Sequence, residues 1–181
     1  MSVPSSKQGG MPLTGASLKR PACLSFPISQ KTPEQLVGLG FRYWMSGYQQ
    51  NDFQFWTSSW DFYTKELGAP AARSVVTDLA SWVQEIHSSA GRPIKIAAKK
   101  APHFCRDECM AVSLIAACQN NVCPALKACA QALIGDQDIE SVIAASEGFA
   151  FKLADYDIRL GGLEPGETSS FTMLNDNSPA Y

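Results

Sequence analysis

Histidine is scarce in this chain, and no apolar run approaches the roughly 20 residues needed to cross a bilayer. The only histidines are His87 and His103, and no E-x-x-H occurs, which excludes a carboxylate-bridged di-iron bundle. Walker A, G-x-G-x-x-G, H-E-x-x-H, G-x-S-x-G and C-x-x-C are all missing, so no cofactor is indicated by motif. Met1 to Arg20 has no apolar core of the kind a secretory leader carries. A cytoplasmic location is therefore expected, with thiols kept reduced.

Charge is missing in blocks. No acid precedes Glu34, none lies between Glu85 and Asp107, and no base follows Arg159. The net charge of −2 gives no global electrostatic case for nucleic acid. What is present is ordinary for a globular protein: 45% hydrophobic residues against 18% charged ones over 181 positions.

These patterns divide the chain into three. Residues 1–31 read as a disordered basic tail, because Ser, Pro and Gly there leave little apolar surface to bury. Residues 32–159 read as a single helical domain. Residues 160–181 read as a flexible acidic tail, rich in Gly and Pro and carrying Glu164, Glu167 and Asp176.

The helical domain follows from periodicity and punctuation. Thr32 can cap a first helix, with Pro33 at its first position and Gln35 where a capping-box partner belongs. Val37, Phe41, Trp44, Met45 and Tyr48 then recur at helical spacing. Asp52 suits the start of a second helix, and Gly68 its end. A third follows Pro70, with Val75, Val76, Leu79, Trp82, Val83 and Ile86 in register and His87 in its last turn.

Arg92–Lys100 reads as a loop. A fourth helix is expected over about 102–119, apolar nearly all round, which suits the buried centre of a bundle. A short helix follows Pro124 and stops at Gly135. A last one is capped by Asp136 or Asp138. The fold class expected is all-α: a compact array of about six helices.

Two regions carry candidate chemistry. Aromatic residues crowd the first two helices, from Phe41 to Tyr63, in greater number than one helical face can hide. Trp44, Tyr48, Trp56 and Trp60 are the candidate interface residues, since Trp and Tyr favour interface centres. Few bases interleave these rings, which weighs against base stacking.

The second region is the basic loop and helix start, 92–109. Lys99, Lys100 and Arg106 are candidate anion-binding residues at a helix N-terminus, although glycine is missing there. Cys105 and Cys109 are four apart, and basic neighbours would lower the Cys105 thiol pKa. His103 is the candidate base, provided it lies before the first helical turn. Together His103, Cys105 and Cys109 fall one ligand short of a structural zinc site, and no metal is assigned. The six cysteines otherwise read as small packing residues.

The expectation that fits best is a non-enzymatic helical domain acting through protein contacts, as a homodimer through its aromatic first two helices. One alternative is a thiol-based sensor or enzyme at 92–109 with a small anion as ligand. Another is a nucleic-acid accessory role using the basic tail. No membrane partner is expected.

Overall fold

The computed structural model describes residues 32–135 and 137–161. Both expected tails lie outside these residues, apart from positions 160 and 161, and so do Cys23 and the candidate cap Asp136. The described residues form six helices and no strand: α1 (Pro33–Gln50), α2 (Gln54–Leu67), α3 (Ala69–Ser89), α4 (Arg106–Gln119), α5 (Cys123–Ile134) and α6 (Glu140–Ala154). None of them is long and apolar enough to cross a membrane.

The helix ends follow local chemistry. The Thr32 hydroxyl accepts the Gln35 N–H at 3.3 Å. Asp52 and Asp138 each accept an N–H two residues on, at 2.9 and 3.0 Å, opening α2 and α6. Gly68 and Gly135 stand at the ends of α2 and α5.

α1 packs against α2, α3 and α4; α4 packs against α1, α5 and α6; α3 and α6 close the array. Residues 111–117 of α4 are all buried, six of them apolar and the seventh Ser113, as a helix at the centre of a bundle requires. Between α3 and α6 the Trp82 ring stacks on Phe149 (5.1 Å between centroids) and donates its indole N–H to Ser146 at 2.9 Å.

Two boundaries differ from those read in the sequence. α4 begins at Arg106 rather than near Pro102, because residues 101–104 are held by a side chain of α1 described below. The packed chain also runs past Arg159. Ile158 and Leu160 are buried, and the Gln119 side chain binds the Ile158 carbonyl (2.9 Å) and the Leu160 N–H (2.8 Å). The Gly161 N–H reaches Glu34 at 2.8 Å, which brings the end of the described chain back to the start of α1.

Candidate functional site

Residues 90–105 form an irregular strap joining α3 to α4, with no helix or strand of its own. Only Ile94 and Phe104 of the strap are buried, but wherever its backbone turns inward the polar groups must find partners. Here two ion pairs supply them. Arg42, on α1, is fully buried and spends all five guanidinium donors. Nε and Nη2 bind the two oxygens of Glu108 at 2.7 and 3.1 Å. Nη1 binds the carbonyls of Ala98 (3.4 Å) and Ala101 (3.0 Å), and Nη2 also binds that of His103 at 2.8 Å.

Glu108 is equally consumed. Besides Arg42, its oxygens accept the N–H groups of Ala97 (3.2 Å) and Cys105 (2.7 Å). One residue earlier, Asp107 accepts the Arg92 guanidinium at 2.8 and 2.9 Å and the Lys95 N–H at 2.8 Å. Arg92 also binds the Ala132 carbonyl at 2.7 Å, tying the strap to α5. The Phe104 ring lies under the Arg42 guanidinium, 5.2 Å from its centroid, and packs against Gly38, where a Cβ would collide with it.

This geometry reassigns the basic stretch. The N-terminus of α4 does hold anions, and they are its own carboxylates, Asp107 and Glu108, in the first turn. The three candidate anion ligands do not converge. Lys99 reaches α2, where Nζ contacts Ser58 at 3.0 Å and sits over the rings of Tyr43 and Phe55 at 5.8 and 5.3 Å. Lys100 and Arg106 are exposed.

The thiol chemistry is also redirected. Cys105 is the N-cap of α4 in a capping box: its sulfur accepts the Glu108 N–H while Glu108 accepts the Cys105 N–H. The thiol hydrogen points to the Lys95 carbonyl at 3.2 Å rather than to His103, whose side chain is exposed. The expected lowering of its pKa is reversed. Burial pushes the Cys105 thiol up to about 11, and the neighbouring Glu108 charge adds to the rise.

Cys109 shares that end of α4 but is buried, its sulfur 4.0 Å from the Phe104 carbonyl. Burial likewise raises Cys118 to about 12, and it raises Cys129 as well. Among the described residues no three His, Cys, Asp or Glu side chains gather as a metal site, the set His103, Cys105 and Cys109 included.

A thiol-labelling experiment checks this assignment. At neutral pH Cys123, which is exposed, should alkylate first among the described cysteines, with Cys109 and Cys129 protected in the native protein. Cys105 should gain reactivity only as pH climbs toward 11, since the thiolate is the nucleophile. Rapid modification of Cys105 at pH 7, read by peptide mass spectrometry, would return it to the list of reactive thiols.

The aromatic candidates do come together. Trp44 stacks on Trp56 at 5.4 Å, Tyr48 meets Trp56 edge-on at 5.4 Å, and His87 stacks on Tyr48 at 5.0 Å. Gly47 makes this possible, because a side chain there would collide with the Trp56 indole. Trp56 donates its N–H to the Trp44 carbonyl at 3.3 Å, and all three rings are half-buried.

Outside this stack, Trp60 is 38% exposed and Phe53 is 70% exposed. Phe53 belongs to the crowded aromatic stretch but is not among the four candidate interface residues. Its position seven residues before Trp60, about two helical turns, is the signal that places both on one side of α2. Compared with protein-family models, curated proteins and solved structures, the chain matches none.

Proposed function

We propose that this chain is a non-enzymatic helical domain that works through protein contacts, self-associating across the outer aromatic ridge of α2 in the cytosol. The observation that carries this reading is the pair Phe53, 70% exposed at the N-cap of α2, and Trp60, 38% exposed two turns on. Trp56, three residues after Phe53 and four before Trp60, is itself stacked with Trp44 and Tyr48. Rigid aromatics lose little side-chain entropy on association and dominate interface energetics.

The rest of the molecule supports the same reading by default of alternatives. The strap at 92–105 spends its charges internally, and Cys105 is held as a neutral thiol. α2 buries only Ser59 and Tyr63 completely, so its outward side is the least committed surface around the aromatic stack.

Sedimentation equilibrium tests the proposal. The wild-type protein should sediment as a dimer, well above the 19.6 kDa of one chain. Trp60→Glu and Phe53→Glu should each weaken self-association by about 30-fold or more, the effect of losing a central aromatic worth at least about 2 kcal/mol. Both positions are exposed, so helical content and Tm should stay near wild type. A wild-type protein that remains monomeric up to the highest attainable concentration sinks the reading.

A further inference from the structure

A cavity of about 510 Å³ opens where the last turns of α1 and α3 meet the start of the strap. Its walls are Gln49 from α1, His87 from α3, and Ala90, Arg92, Pro93 and Ile94 from the strap. That size falls in the range of sites for small organic ligands, roughly 300–1,000 Å³. The walls are fixed in place. Asp107 holds the Arg92 guanidinium at 2.8 and 2.9 Å, the Gly91 N–H binds the Ile134 carbonyl at 2.9 Å, and Gln49 Nε2 donates to the Ile94 carbonyl at 2.7 Å. Groups already held lose little freedom when a ligand arrives.

We propose that this cavity binds a small, neutral, planar nitrogen heterocycle, of the size and polarity of a free nucleobase, stacked on His87. His87 ends a column of rings. Tyr48 covers one face of the imidazole, 5.0 Å away and within 10° of parallel, and Tyr48 in turn meets Trp56 edge-on. The imidazole is still exposed and lines the cavity, so the column ends in an aromatic face that one more ring extends. Ala90 and Pro93 supply apolar wall on either side of the polar groups. Gln49, its Nε2 committed to Ile94, keeps Oε1 to accept an N–H from the edge of the ligand. Apolar walls with a few fixed polar groups favour a ring with a hydrogen-bonding edge over a plain hydrocarbon.

Charge selects a neutral ligand. Arg92 is the one lysine or arginine on the walls, and the Asp107 carboxylate neutralises it at 2.8 Å. Both terminal nitrogens of Arg92 are spent, on Asp107 and on the carbonyls of Pro93 and Ala132. A phosphate or carboxylate would find little uncompensated positive charge here, so the ring itself is what the site reads.

NMR titration of the full chain at neutral pH decides it, with adenine, uracil and nicotinamide as probes. At least one should shift the His87 ring protons, the Gln49 side-chain amide and the Ile94 methyls, while the methyls of Ile115 and Leu133 stay in place. His87→Ala should weaken binding of that probe by about 10-fold or more, the effect of losing one stacking partner. His87→Phe keeps an aromatic face and should retain the binding. His87 is exposed, so both variants should fold with a Tm near wild type. The proposal is overturned if none of the probes moves His87 up to its solubility limit, or if His87→Ala binds as well as wild type. Inorganic phosphate giving the same shifts overturns it in favour of an anion site. A response to an oligo(dA) strand without one to free adenine overturns the small-molecule assignment. Every readout is local to this cavity, so it and the proposed self-association of α2 stand or fall separately.

Discussion

Replacing Arg42 with Met should cost about 3–5 kcal/mol of stability, the usual result of leaving one member of a buried ion pair without its partner. A domain of this size has about 5–15 kcal/mol in total, so much of the native margin goes with one side chain. The reason is specific to the geometry. Arg42 removal orphans the Glu108 carboxylate, fully buried on α4, and the carbonyls of Ala101 and His103. Glu108→Leu should cost a similar amount, since it strands the guanidinium together with the N–H groups of Ala97 and Cys105.

The double variant should be less unstable than the two single losses added together, because neither charge is then left alone. Urea unfolding of the four proteins gives the coupling energy. Recovery should be partial, as the strap backbone still loses its partners. Hydrogen exchange should rise across 95–104 in each variant before it rises in α3 or α6. A cost below 1 kcal/mol for Arg42→Met would mean that the strap is held by something other than this pair.

That pair was invisible to sequence reading, although the helices around it were legible. Thr32, Pro33, Gly68 and Gly135 mark helix ends by local chemistry, and local chemistry is what a sequence displays. Arg42 stands between Phe41 and Tyr43, and a lone arginine in an amphipathic helix is ordinarily solvated. Its partner is 66 residues away, and only tertiary packing brings the two together. A usable signal did exist. Arg42 falls four residues after Gly38 and three before Met45, on the buried side of α1, and Asp107 and Glu108 follow immediately on the acid-free basic stretch after Glu85.

Those two acids were read as the end of the basic run rather than as its counter-charge. The thiol expectation failed in a related way. It counted the bases near Cys105 along the chain, whereas burial, which depends on the fold, is the larger influence on that thiol. The aromatic stretch was half legible. Composition gave the crowding, but it could not separate Trp44, Tyr48 and Trp56, which pack on one another, from Phe53 and Trp60, which face out.

Truncating Trp82 to Ala should be about as damaging as breaking the ion pair, for an apolar reason. The side chain is fully buried between α3 and α6, with Phe149 on one side and Phe41 on another at 5.6 Å. Loss of such a ring costs about 3–5 kcal/mol through lost transfer energy and the cavity left behind. Tm should fall by on the order of 10 °C or more. Trp82→Phe keeps a ring in the site and gives up the N–H to Ser146, so it should cost clearly less. Ser146 stays satisfied there by donating to the Val142 carbonyl at 2.6 Å.

The cavity offers a control that a general loss of structure does not. In Trp82→Ala it is lined by two rings and ends at one hydroxyl acceptor, the complement of indole. Added indole should therefore raise the Tm of Trp82→Ala and leave the wild type unmoved, since binding to the native state alone stabilises by mass action. If indole has no effect on a variant that is folded but weakened, the site has collapsed, and α3 and α6 pack more adaptably than the stacked Trp82–Phe149 pair implies.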